Sequence, residues 1–255
     1  MASEIKEGTL DLINHLPILQ VITPMLIAPI LVVLNNKTLS WLLSFLGALA
    51  CLFISVLLIQ TVSDGSTLTY FLGGWAPPIG IEYRIDAANS ILLFLISIIS
   101  VIVLIFSYSS LHSEIPEEKH TLFYACFLLC LTGLLGVVAT ADIFNVFVFL
   151  EISSLSTYVL VAQGSYLDRR ALSASFNYLI MGTIGATFFV IGIGYIYMAT
   201  GSLNMMDIAE RVSELGDNRT VQAGFAFIVV GMGLKLAMFP LHVWLPNAYT
   251  FAPTI

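Results

Sequence analysis

The sequence predicts an all-α fold, a polytopic transmembrane helical bundle of about seven spans with the last one kinked or broken. Three observations lead there. Hydrophobic residues make up 58% of the 255 positions and charged residues only 10%, against roughly 25% charged in a soluble domain. Several uncharged runs exceed the ~20 residues a spanning helix needs, and none shows the short alternating segments of an outer-membrane barrel. The last apolar run, residues 221–244, holds Lys235 at its interior with Gly231 and Gly233 before it and Pro240 after it.

Span one covers residues 12–34 and carries Pro17, Pro24 and Pro29, which neighbouring helices must accommodate. No basic n-region precedes it, so it is expected to serve as its own insertion signal rather than as a cleaved peptide. Asn35, Asn36 and Lys37 turn the chain into span two, 39–62. Residues 63–86, SDGSTLTYFLGGWAPPIGIEYRID, combine Gly-Gly and Pro-Pro with Tyr, Phe and Trp. That mixture suits short extended segments in an interfacial flap or hairpin. Span three is 87–111. An acidic loop leads to span four, 121–140, and Asp142 is placed to cap span five, Ile143–Gln163. Span six is 171–200, and the polar stretch 201–219 has room for a short surface helix before span seven.

Two charges fall inside these spans. Glu151 lies eight residues past Ile143, about 12 Å along the helix. Ser154 and Tyr158 follow at i+3 and i+7, so carboxylate and hydroxyls share one face, and such a face meets protein or water rather than lipid. Lys235 is the second. A lysine near the bilayer centre costs roughly 2.5 kcal/mol or more, so an intramembrane charge marks function unless a packing role is shown. The glycines of span six, Gly182, Gly185, Gly192 and Gly194, are expected to serve close helix packing.

The net charge of -7 argues against a nucleic-acid partner and against a polybasic lipid-binding surface. Cys51, Cys126 and Cys130 all sit in apolar runs, match no zinc or redox spacing, and read as small buried hydrophobes. No metal-ligating cluster and no cofactor-binding motif is visible. With the N-terminus outside, Lys37, Lys119, Arg169 and Arg170 fall in short inside loops, the ones the positive-inside rule weighs.

Two blocks, ADIFNVFVFLEISSLSTYVLVA with Glu151 and GMGLKLAMFPLHVWLPNAYTFAPT with Lys235, resemble the proton-conducting antiporter-like family shared by complex I, membrane-bound hydrogenases and Mrp-type cation/proton antiporters. GGWAPPIGIEYRID resembles the family's extracytoplasmic connection. The resemblance implies that Glu151 modulates Lys235, that Lys235 passes protons towards a central polar axis, and that His242 belongs to the same path. Pro240 and Pro246 are expected to break the last helix. Asn247 and Tyr249 stand where many relatives have Asp and His, a departure that resembles the D-type branch of the Mrp subunits.

The family also implies roughly fourteen helices in inverted repeats, so this chain is expected to be a fragment, a truncated product or half of a split subunit. Residues 1–116 would form a three-helix segment and 117–255 the first part of the proton-conducting domain. Three functional readings remain open. The first is a proton-translocating subunit of a multisubunit monovalent cation/proton antiporter, with other membrane subunits as partners and protons, with sodium a candidate, as the ions. The second is a membrane-arm subunit of a redox-driven pump, non-redox itself. The third is an inactive structural remnant. The first two imply a bacterial inner membrane.

Overall fold

The computed structural model describes residues 13–254; the start of span one at residue 12 and the expected orientation of the N-terminus lie outside them. Asn36 sets the first helix boundary. Its side chain accepts the Leu39 N–H at 3.1 Å, which satisfies an orphan donor of the next helix. α1 (Leu16–Leu34) therefore hands over to α2 (Lys37–Val62) across Asn35 and Asn36 alone. Strands β1 (Leu68–Phe71) and β2 (Glu82–Ile85) pair antiparallel with Leu68 opposite Ile85, giving the hairpin that the Gly, Pro and aromatic pattern predicts.

Asp86 then caps α3 (Ala87–Glu114) with a reciprocal capping box to Asn89, and α3 runs one turn further than its apolar run suggests. α4 (His120–Ala139) and α5 (Ile143–Gln163) meet almost without a loop, and Asp142 accepts the Asn145 N–H at 2.7 Å as the N-cap of α5. Burial pushes the Asp142 carboxyl above its ordinary range, while the bond from Asn145 pulls the other way. α6 (Arg170–Thr200) follows. The polar connection carries α7 (Met205–Leu215), a surface helix with no buried residue.

Six of these helices are long and apolar enough to cross a membrane. The segment read as span seven is divided: α8 (Arg219–Lys235) stops at the lysine itself, and α9 (Trp244–Phe251) resumes after a non-helical stretch.

Contacts sort the connections to two ends of the bundle. At one end Lys37 pairs with Glu117, Thr254 N–H donates to Glu114, and Arg170 lies over the Phe251 ring, which brings the short basic turns to the same end. At the other end the hairpin joins the α4–α5 junction and the α6–α7 link. Ala141 N–H donates to the Glu82 carbonyl at 2.8 Å, Met205 N–H donates to the Ala141 carbonyl at 2.8 Å, and the Asn204 amide donates to the Glu82 carboxylate at 2.7 Å. These bonds satisfy backbone that loops at a membrane edge would otherwise leave to water. One continuous apolar core, with Leu31, Leu58, Leu93, Leu104, Leu128 and Leu135 fully buried, extends from α1 into α5.

α8 is held differently. It lies on α6 through glycines: a Cβ at Gly231 would come within 2.7 Å of the Gly185 carbonyl oxygen and the Phe189 nitrogen, and one at Gly192 within 2.7 Å of the Gly224 carbonyl oxygen. These close approaches between backbones are what small residues permit in membrane helices, and they bear out the packing role expected of Gly185 and Gly192. Among the described residues, a Cβ at Gly194 would meet nothing within 4 Å beyond its own helix.

Candidate functional site

The stripe on α5 and the end of α8 converge. Lys235 Nζ donates to Glu151 Oε1 at 2.7 Å and to Ser154 Oγ at 2.7 Å, with the two charged side chains only 11% and 21% exposed. Glu151 and Ser154 are neighbours because they stand three apart on a helix. Lys235 reaches them because α6, which lies between, has glycine on that side. A Cβ at Gly182 would overlap the Tyr158 hydroxyl oxygen, and one at Gly185 would touch Leu234 and Lys235. Gly182 thus opens the space that the α5 stripe fills.

Three features stabilise the ammonium. Glu151 supplies the counter-charge, Ser154 accepts a second of its three hydrogens, and the lysine is the last helical residue of α8, where the negative end of the helix dipole favours a cation. A pair so little exposed to water has given up most of its hydration, and removing one partner from a buried pair costs about 3–5 kcal/mol.

The helix ends at Lys235 through its backbone, not through a proline. Ala237 N–H donates to the Leu234 carbonyl and Met238 N–H to the Gly233 carbonyl, the paired bonds of a Schellman cap, with Ala237 in the left-handed region at φ 51°. Pro240 lies beyond this cap, in the non-helical stretch. Pro246 occupies the third position of α9, inside a first turn whose N–H groups lack helical partners in any case, so it is accommodated there without a break. The break comes from the cap, and the prolines follow it. Because a Cβ is disfavoured in the left-handed region, Ala237→Gly is expected to stabilise the protein by about 1 kcal/mol, read as a higher unfolding midpoint of the purified protein.

An aromatic ladder fixes the two sides of the break. The Tyr158 ring meets Tyr178 edge-on at 4.5 Å, Tyr178 stacks on Trp244 at 4.2 Å, and the Trp244 indole N–H donates to the Leu234 carbonyl at 3.1 Å. Tyr178 and Trp244 escape sequence reasoning because they lie far apart along the chain. Only the tryptophan in an apolar run, with a ring N–H that must be satisfied when buried, signals a contact. Among the described residues the Tyr158 hydroxyl is buried without a hydrogen-bond partner. His242 is not drawn to the pair: it is exposed, and its ring lies 5.6 Å from that of Phe239. Among the described residues no group of three or more His, Cys, Asp or Glu side chains is placed to hold a metal ion.

Residues 140–255, which include both Glu151 and Lys235, match the family model described as NADH:quinone oxidoreductase/Mrp antiporter, TM. This part of the chain is similar to that family. The chain is 42% identical over 94% of its length to NADH-quinone oxidoreductase subunit N of Desulforudis audaxviator. It is 31% identical over 94% of its length to the D subunit of the Na(+)/H(+) antiporter of Bacillus subtilis. Its match covers 48% of each, so the chain spans about half the length of the curated relatives it matches. Among solved structures, a chain of the membrane-bound sulfane sulfur reductase, an archaeal respiratory membrane complex, aligns at a TM-score of 0.86 with 33% identity. That alignment covers 94% of this chain and 48% of the other. A chain of the Mrp complex from Dietzia sp. aligns at 0.81 with 23% identity, covering 94% and 44%, and shows the same fold.

Proposed function

We propose that the chain forms the proton-handling part of a membrane subunit in a multisubunit monovalent cation/proton antiporter of a bacterial inner membrane, with other membrane subunits as its partners. The observation that supports it is the Lys235–Glu151 pair, 2.7 Å apart, held where a membrane helix stops. Helices α1 to α3 and the hairpin serve as scaffold, and the part from residue 117 onward handles the proton. Lys235 carries it, Glu151 sets how firmly it is held, and Ser154 accepts from the ammonium and has a hydroxyl hydrogen of its own to pass on. His242, exposed beyond the break, is a later member of the path rather than a partner of the pair. No step requires covalent chemistry, so the subunit is a transporter component rather than a catalyst.

The higher identities to an NADH-quinone oxidoreductase subunit and to a sulfane sulfur reductase chain favour a second reading, a membrane-arm subunit of a redox-driven pump. Reconstitution of the native complex in vesicles separates the two. An antiporter moves protons when a sodium gradient is imposed, whereas a redox pump stays silent until its electron donor is added. Silence under both conditions would dismiss both readings and leave the structural remnant.

Lys37, Lys119, Arg169 and Arg170 lie in or beside the short turns at one end of the bundle, whereas Arg84, Arg211 and Arg219 lie in or beside the connections at the other. The short basic turns are expected to face the cytoplasm, which places the N-terminus outside. Cysteines introduced at Lys119 or Arg169 should resist an impermeant thiol reagent applied to intact cells. Rapid labelling there would invert the orientation.

A further inference from the structure

The half-helix α9 is fastened at its two ends and free along one side. At its start Trp244 is tied to the Leu234 carbonyl. At its far end the segment that leaves it meets α3: Glu114 Oε2 accepts the Thr254 N–H at 2.8 Å, and Glu114 Oε1 accepts the Thr254 hydroxyl. The Arg170 guanidinium lies 4.5 Å over the Phe251 ring, and Gly164 passes so close that a Cβ there would overlap the Phe251 carbonyl oxygen. Between these fastenings, a cleft of about 520 Å³ lies beside α9, walled on the far side by Phe123, Thr157 and Leu160 of α4 and α5, while Val161 packs against Trp244 and Ala248. α9 therefore follows the left-handed turn at Ala237, has an open cleft beside it, and is held at its tip.

We propose that Glu114 is a positioning residue for Lys235, clamping the tip of α9 so that α9 and Trp244 hold the end of α8 where its lysine reaches Glu151. Glu114 suits this task because it ends α3, whose Leu104 and Leu111 are fully buried in the main core. It thus refers the half-helix to the rigid part of the molecule. Each carboxylate oxygen takes one Thr254 donor, a two-point grip that fixes direction as well as distance. When the grip is lost, α9 pivots about Ala237 into the cleft. The Trp244 indole then carries the Leu234 carbonyl with it, and Lys235, the next residue, moves off Glu151. The flux part of this proposal rests on the proton-handling role given above, but the clamp itself does not.

The test uses the whole subunit in its native complex. Glu114→Ala removes both acceptors and is expected to lower proton flux by at least ~10-fold, since misplacement by an ångström in a working site has effects of that size or larger. Glu114→Gln keeps a carbonyl for the Thr254 N–H and offers an amide N–H to its hydroxyl, so it should retain most of the flux. Independently, in a variant lacking the native cysteines, Leu160→Cys reports on the cleft. Its reaction with a membrane-permeant maleimide should slow several-fold when Glu114→Ala lets α9 close over it, and stay at the wild-type rate with Glu114→Gln. Glu114→Gln as damaging as Glu114→Ala would make the carboxylate a proton carrier and overturn the clamp. An unchanged labelling rate in Glu114→Ala would overturn it too. Slowed labelling with normal flux would overturn the link to Lys235. Should the wild-type complex carry no protons at all, the role of the pair fails while labelling still decides the clamp.

Discussion

Glu151→Gln is expected to lower proton flux through the assembled complex by at least about two orders of magnitude, and Lys235→Ala by at least as much. The first number follows from the ion pair. Removing one partner of a buried pair costs about 3–5 kcal/mol, and each 1.36 kcal/mol is a factor of ten. Glutamine keeps the shape and one acceptor oxygen for Nζ, so the loss isolates the charge rather than the packing. The lysine left behind keeps Ser154 at 2.7 Å and the dipole of α8 but no counter-charge. A proton it cannot hold is a proton it cannot deliver. Lys235→Ala removes the carrier and leaves Glu151 unpaired in turn. Equal expression and assembly of both variants, checked in detergent, keep these effects distinct from loss of the protein.

Gly231→Ala is expected to be nearly as damaging although it touches no charge. The methyl group would meet the Gly185 carbonyl oxygen and the Phe189 nitrogen, both at 2.7 Å, and backbone on a neighbouring helix cannot swing aside as a side chain can. α8 must lift off α6. Lys235 lies one turn further along the same face, so the lift is passed to its contact with Glu151. Overpacking of this kind typically costs 1–3 kcal/mol, and a displaced lysine adds a further loss of flux on the order of 10²-fold. Gly194→Ala, at a position with open space around it, should leave stability and flux near wild type. A tolerant Gly231→Ala would mean that α6 and α8 are free to separate without consequence for the pair.

The pair itself is legible in the sequence because a charge in an apolar run has no cheap explanation, and Ser154 is legible because i+3 fixes a shared face. Span boundaries follow from capping residues such as Asp142, and the hairpin from its turn residues. The position of the break is less well marked. Proline is the breaker a sequence displays, yet α8 ends five residues before Pro240 through a cap whose left-handed residue is an alanine, a type that carries no turn signal. The glycines of span six signal close packing, but which neighbour each admits is a tertiary fact. Gly182 accommodates the Tyr158 hydroxyl and Gly185 the base of Lys235, and neither partner lies near them in sequence. The clasp of Glu114 on Thr254 joins residues far apart along the chain and leaves no local trace.

That Lys235 and Glu151 act as one unit is tested most directly by a double-mutant cycle on proton flux, comparing wild type, Glu151→Gln, Lys235→Ala and the double variant in the native complex. Residues that work in a single step are grossly non-additive. The double variant should therefore be no worse than Lys235→Ala alone. Losses that multiply independently, or a Glu151→Gln complex with normal flux, would contradict the coupled pair and reduce the glutamate to a packing residue.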